Sequence, residues 1–408
     1  MNNKLQKITL IVIVSILIFN SLPVFAWTPE EDIPATSAIL MDTNRGQVLY
    51  EKGADSIYSQ SIMCKLMTAL ITIEKSQLNS KVTISKNAAS IKGSSLNLVV
   101  GNLYSVEDLI YGIMLSQGND AAIALAEYVG NGNVSNFVAF MNDKAKELSL
   151  TDTFFVNPTG LYDKKQFTST KDIAKLVKSA ISNSTFNLLF GAKGIAFING
   201  KDSSILTNQN KLFWSYSGVD GGKIGTTPQQ GTTSVTTATR DNRRLIAVVL
   251  DENEDSTLEQ SAKLFDYGFS HFSSGVLVPK NTPIRSISIE DVNVNLISKI
   301  DVFYTYPKGN SYIKNISFNT NEKLQLPINS DTIAGVLTYT LNDDTVIDVN
   351  LYSDKVVVAP EDYKAKIKSI FKENHDLVTI VIILVAIEFI ILIYKLITLI
   401  LKIMRKSK

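Results

Sequence analysis

Apolar and polar positions alternate over residues 38–42 and again over 47–51, with Asp42-Thr43-Asn44-Arg45-Gly46 between them. Period-two runs around such a turn predict an antiparallel hairpin. The period then lengthens: apolar positions three and four apart predict helices over 65–74, 106–129, 134–148 and 170–182, each bounded by Gly, Asn or Ser. Alternation returns at 232–239 and 244–250 around Arg240-Asp241-Asn242-Arg243, a second hairpin. Strands at both ends of a stretch with helices between them predict an α+β arrangement, one sheet built from N- and C-terminal pieces and packed against a helical region.

Near 272–279 the pattern changes. Short alternating runs such as 300–306, 311–318 and 335–341, with turns rich in Asn, Asp, Gly and Pro, predict a separate small β-domain over 275–358. Residues 359–376 carry Tyr363, Ile367 and Phe371 at helical spacing among lysines, an amphipathic connector. An apolar segment follows, broken only by Glu388 and succeeded by Lys395, Lys402, Arg405, Lys406 and Lys408. It predicts a transmembrane helix over 377–395 and a basic cytoplasmic tail over 396–408. Glu388 is costly at mid-bilayer, so it is protonated, drawn toward the interface, or paired with another transmembrane helix.

At the other end, Lys4 and Lys7 precede an apolar run over 8–19 and then Val24-Phe25-Ala26, the pattern of a signal peptide over 1–26. The alternative, an uncleaved anchor, is weaker because the run falls short of the ~20 residues that span a bilayer. Both ends then agree on one topology: a single-pass protein of the cell membrane, main domains extracytoplasmic, C-terminus cytoplasmic. The first folded domain is expected over 27–274.

Charge is nearly balanced, 40 basic against 39 acidic residues, which gives no footprint for nucleic acid. The single cysteine, Cys64, excludes an intrachain disulfide and reads as a small buried hydrophobe. One Cys and two His, His271 and His375, are too few soft ligands for a typical zinc site. No metal or cofactor is called for by the residues present.

Three separated segments carry the candidate chemistry: Ile62-Met63-Cys64-Lys65 followed by Leu-Met-Thr-Ala-Leu, Gln117-Gly118-Asn119-Asp120-Ala121-Ala122, and Gly221-Gly222-Lys223-Ile224-Gly225-Thr226-Thr227-Pro228. Each is weak alone. In order and spacing they resemble the S-x-x-K, S-x-N and K-T-G motifs of serine penicillin-binding enzymes. The intervening sequence, with Ala38-Ile39-Leu40-Met41-Asp42, Gly93-Ser94-Ser95, Asn157-Pro158-Thr159-Gly160-Leu161 and 244–250, resembles the low-molecular-weight D-alanyl-D-alanine carboxypeptidases. The likeness is strong over about 36–272 and looser over the β-domain, through Ile333-Ala334-Gly335-Val336-Leu337. It implies a penicillin-binding/β-lactamase-like sheet packed with helices.

Serine and lysine three apart share a helical face, so the amine can take the hydroxyl proton. The resemblance further implies a relay serine and a substrate-holding asparagine in the second motif, and a strand edge beside the substrate in the third. Here the nucleophile position is Ile62, the relay position is Gln117, and the threonine of the third motif is Ile224. Lys65, Asn119, Lys223 and Gly225 remain. Family members also tend to keep a carboxylate-binding arginine after the strand near Leu250, but no arginine lies between Arg244 and Arg285.

The leading expectation is an inactive homologue that binds peptidoglycan stem peptide or an envelope protein, with Lys223 still available to hold an anionic group. One alternative is an active carboxypeptidase using Ser61, four residues before Lys65 and also on its helical face. Another is a membrane scaffold working through the β-domain and transmembrane helix, its old groove filled by Ile62 and Ile224. Lys65 is either unused or paired with an acceptor such as Asn119, and Asp120 is expected to cap or salt-link the helix that follows.

Overall fold

The computed structural model describes residues 33–358, 367–369, 372, 373 and 375–406, without Gln60, Lys201, Gln229, Gln230, Asp291, Asn310, Ser311, Glu322, Lys323, Asp343 and Asp344. The expected signal peptide and most of the expected connector, Tyr363 and Phe371 included, lie outside the described residues.

The first hairpin is β1 (Ser37–Asp42) and β2 (Val48–Lys52), turned by the Gly46 amide donating to the Asp42 carbonyl. The helical block comprises α1 (Ser61–Lys75), a short β3 (Lys81–Thr83), α2 (Lys86–Ala89), β4 (Leu103–Ser105), α3 (Val106–Leu115), α4 (Asn119–Val129), α5 (Val134–Glu147), α6 (Thr170–Ala180) and α7 (Ser184–Phe190). A hairpin of β5 (Gly194–Asn199) and β6 (Asp202–Thr207) follows, then α8 (Leu212–Ser215), β7 (Val219–Thr227), β8 (Gly231–Arg240), β9 (Arg243–Asp251) and α9 (Glu254–His271).

β1 pairs antiparallel with β9, Ala38 opposite Val249 and Leu40 opposite Ala247, and joins the two ends of the segment into one sheet ordered β2-β1-β9-β8-β7. Both faces of that sheet are covered. Ile39, Met41, Ile246 and Val248 pack with the helical block, while Ala38, Leu40, Leu245, Ala247 and Val249 pack with Leu264 and Phe265 of α9. A strand buried on both faces reads as a continuous apolar run rather than as alternation, which is what Leu245-Ile246-Ala247-Val248-Val249-Leu250 shows.

One expected helix is two. The 106–129 run breaks at Ser116-Gln117-Gly118, where Gln117 takes a left-handed φ of 57° that no helix interior contains. Each half starts on its own terms: Ser105 caps α3 in a capping box with Asp108, and Gly118 precedes α4.

By its internal contacts the chain divides into two units, one running through Ser274 and taking in Tyr304–Asn310, the other made of Gly275–Phe303 and the residues from Ser311 on. Tyr304–Asn310, expected in the β-domain, therefore packs with the first unit. Thr305 Oγ1 donates to the buried Asp42 carboxylate at 2.9 Å, and the Lys308 amide donates to the His271 carbonyl at the end of α9. The remaining strands are β10 (Phe272–Val278), β11 (Pro283–Ile289), β12 (Val292–Ile297), β13 (Val302–Pro307), β14 (Ile313–Thr320), β15 (Ile333–Leu341) and β16 (Val346–Ser353). Five of them form an antiparallel sheet ordered β11-β12-β16-β15-β14, and β10 pairs with β13. The last helix, α10 (His375–Lys406), runs on through residues expected to form the tail. Its stretch Thr379–Leu399 has the length and hydropathy of a membrane span.

Candidate active site

Helix α1 is buried at every residue from Ser61 to Thr72, so its motif side chains sit inside the first unit rather than on its surface. The loop Asn157-Pro158-Thr159-Gly160-Leu161 lies on its first turns. Asn157 Oδ1 accepts from Thr159 N, Thr159 Oγ1 and Gly160 N and folds the loop back on itself. Thr68 Oγ1 donates to the Pro158 carbonyl at 3.0 Å. Gly160 has φ 77°, and a Cβ built on it would lie 2.4 Å from Ser61 Cα, so the loop's approach to α1 requires glycine.

Lys65 reaches this loop: its Nζ donates to the Thr159 carbonyl at 2.6 Å. The pairing with Asn119 considered from the sequence is not formed. Burial pulls the Lys65 pKa down to about 8, opposed only by the neighbouring Cys64 thiol. Burial in turn pushes the Cys64 thiol up to about 12, which fits a packing residue and not a thiolate nucleophile.

Lys223, on β7, is 1% exposed and donates to the carbonyls of Ile113 at 2.6 Å and Met114 at 3.0 Å. These belong to the last turn of α3, where carbonyls lack partners within the helix and the dipole favours a cation. Its pKa is driven well below the ordinary lysine value, first by burial and then by the Lys65 charge. The amine expected to hold an anionic group is thus engaged with α3.

Strand β7 brings the other motif residues together at Gly225. A Cβ on this glycine would lie 3.1 Å from Ser61 Oγ, 3.5 Å from Gln117 Oε1 and 3.5 Å from Ile62 Cβ. Ser61, at the first turn of α1, therefore faces the same point as Ile62. The Ser61 hydroxyl has no hydrogen bond among the described residues, and Ile62 is 1% exposed within the main apolar core. Gln117 Nε2 donates to Gln209 Oε1 at 2.6 Å, tying the α3–α4 turn to the loop after β6. Asn119 Nδ2 donates to the Lys92 carbonyl at 2.9 Å, while its Oδ1 is buried with no partner among the described residues.

Two expectations need correction. Ile224 does not fill the groove: successive strand residues face opposite ways, and it packs with Leu212 of α8 and Leu258 of α9 on the far side of the sheet from Lys223 and Gly225. Asp120 bonds its own helix only at Ala121 N. Its carboxylate chiefly accepts from Ser95 Oγ, Leu96 N and Leu98 N, fixing the loop after Gly93. The roles of Thr159, Gly160 and Gln209 were not visible in the sequence, because they act through backbone atoms or through a contact across 92 residues.

The two buried amines make stability depend on pH. Lys65 has a folded pKa of about 8 against an ordinary 10.5, so across that window the unfolded chain holds the extra proton. Stability should therefore rise with pH between those values and be flat in this contribution below them; Lys223 acts with the same sign from lower pH. In urea midpoints measured from pH 8 to 10, Lys65→Met should flatten the slope. An unchanged slope would mean that Lys65 does not change its protonation on folding.

The fold and the motif geometry define a class, a penicillin-binding sheet with a buried lysine-bearing helix against its edge strand. The profile described as D-alanyl-D-alanine carboxypeptidase matches residues 24–254, and that of the penicillin-binding protein 5 C-terminal domain matches 272–359. Among relatives, D-alanyl-D-alanine carboxypeptidase DacC of Escherichia coli is 31% identical over 346 residues, covering 79% of this chain and 85% of its own. The Bacillus subtilis D-alanyl-D-alanine carboxypeptidase DacF is 33% identical, covering 64% and 69%. The crystal structure of penicillin binding protein 5 from Haemophilus influenzae superposes with a TM-score of 0.71 at 29% identity, over 82% of this chain and all of that one. The chain belongs to the D-alanyl-D-alanine carboxypeptidase family.

Proposed function

We propose that this family member binds peptidoglycan stem peptide, or an envelope protein presenting similar chemistry, without cleaving it, from the outer side of a membrane in which Thr379–Leu399 anchors it. The observation that carries the reading is Ile62. Acyl transfer needs a heteroatom three residues before Lys65, and that position holds a hydrocarbon packed into the core beside Gly225. The surrounding groups support it: the Lys65 and Lys223 amines are engaged with backbone carbonyls, and an amide stands at the relay position. What remains to hold a peptide is the outer edge of β7 beyond Gly222, whose carbonyl accepts from Asn208 Nδ2, and Asn119 Oδ1, which has no partner among the described residues.

The expected result is that the purified full-length protein in detergent gains no mass on incubation with a β-lactam and releases no D-alanine from a pentapeptide. It should still bind that pentapeptide saturably. D-alanine release would overturn the reading.

One observation favours a second reading: the Ser61 hydroxyl lies beside Gly225 without a hydrogen-bond partner among the described residues. If Ser61 serves as nucleophile with Lys65 as base, the β-lactam adduct maps to Ser61 and Ser61→Ala abolishes it. Under the non-cleaving reading Ser61→Ala changes neither measurement.

A further inference from the structure

α10 is one uninterrupted helix, and its apolar stretch Thr379–Leu399 has 21 residues, about 31 Å at 1.5 Å per residue, the thickness of a bilayer core. Glu388 lies nine residues from one end (388 − 379) and eleven from the other (399 − 388), so about 13 Å and 16 Å of helix separate it from the two interfaces. A glutamate side chain cannot reach across either distance. Drawing Glu388 to the interface, one of the ways out left open by the sequence, is closed by an unbroken helix.

A partner within the helix is missing as well. The positions three and four residues away are Val385, Leu384, Ile391 and Leu392, all aliphatic. Lys395 is two turns further on, about 10 Å along the axis, and lysines near the end of a span extend their amines to the nearer interface. Nor does any other described part of the chain cover this face, for the span is entirely exposed.

We propose that Glu388 is an assembly site: its carboxylate pairs inside the membrane with a lysine or arginine at matching depth on the single span of a different protein. Charge decides between occupants. A second copy in the same orientation would bring a second carboxylate to the same depth, whereas a basic side chain cancels the charge. Val381, Leu384 and Val385, up to two turns before Glu388, and Ile391 and Leu392, one turn after it, form the apolar seam along which the partner helix packs. The proposal rests on the anchored reading above, and its test separates the two.

The full-length protein is expressed in its host with a photo-cross-linking residue at Leu392, on the Glu388 face, or at Ile390, turned about 200° from it. Membranes are isolated before irradiation. The expected result is one adduct from Leu392 and none from Ile390, with at least a tenfold loss in Glu388→Leu, and an adduct peptide from an apolar span containing Lys or Arg. Exchanging the charges, Glu388→Lys with that partner residue changed to Glu, should restore it. A Leu392 adduct that persists in Glu388→Leu, that joins two copies of this chain, or that comes from a span without a basic residue overturns the pairing. So does the absence of any adduct while the protein sediments with membranes. Recovery of the unsubstituted protein in the soluble fraction removes the anchor itself and the proposal with it.

Discussion

Ile62→Ser is expected to turn a chain that a β-lactam leaves unmodified into one that it acylates. The new hydroxyl would stand three residues before Lys65, on the same face of α1 and beside Gly225 of β7. Lys65 is suited to take its proton: burial holds the amine near a pKa of about 8, so at pH 8 about half of it is neutral. Acylation and turnover should separate. Residues that act as a unit fail as a unit, losing one costing as much as about 10⁶-fold in rate, and Gln117 still offers an amide where a proton must be relayed. The variant should therefore show a long-lived adduct of one acyl group by intact mass and no D-alanine release. Replacing a buried Ile by a polar residue costs about 2–4 kcal/mol, so the experiment belongs well below the unfolding temperature. A folded Ile62→Ser protein that forms no adduct would show that the Thr159 carbonyl holds the Lys65 amine out of reach.

Gly160→Ala should be among the most destabilising single methyl additions to this protein. Two penalties coincide: a left-handed φ of 77°, and a Cβ 2.4 Å from Ser61 Cα and 2.7 Å from Ser61 O. Both atoms are backbone, so no rotamer change relieves the clash. We expect a loss above about 3 kcal/mol, a fall of roughly 6–12 °C in Tm for a domain of this size. Gly101 provides the comparison, with φ 84° and no atom within 4 Å of its built Cβ. Gly101→Ala should cost only the backbone penalty, about 1 kcal/mol. Equal losses in the two variants would mean that the 157–161 loop does not depend on its seat over α1.

These variants probe features that differ in how openly they are written in the chain. The sheet was legible because β8 and β9 are long, β-branched and joined by a tight turn, and the motif lysines because their neighbours keep a recognisable order. α9 was not. Its buried face mixes Leu258, Leu264 and Phe265 with Thr257, Gln260, Ser261 and Gly268, so the 3.6-residue apolar period is interrupted by polar and small residues that the core accommodates. The hydroxyl of Ser261 bonds that of Ser234 on β8, a contact that no local pattern announces. At the site, the identities of the altered residues were readable but their directions were not: Ile224 follows strand alternation to the far side of the sheet, and Ser61 shares a neighbour with Ile62 because β7 passes close to the first turn of α1. The break between α3 and α4 lies in the polar run Ser116-Gln117-Gly118-Asn119-Asp120, a stop signal masked because apolar residues at helical spacing resume directly after it.

The short strap at Tyr304–Asn310 means that the first unit is not a continuous length of chain. A fragment ended at Ser274 would contain every motif residue yet lack Thr305, leaving the Asp42 carboxylate, 2% exposed and already raised in pKa by burial, without its hydroxyl donor. The end of α9 would lose the Lys308 contacts to the carbonyls of Phe269 and His271. Such a piece should expose apolar surface and aggregate even though nothing from its motifs has been removed. Synthesis of the chain has the same consequence: the motif-bearing unit cannot complete its packing until more than thirty further residues have emerged, which orders its final folding step after the start of the β-domain.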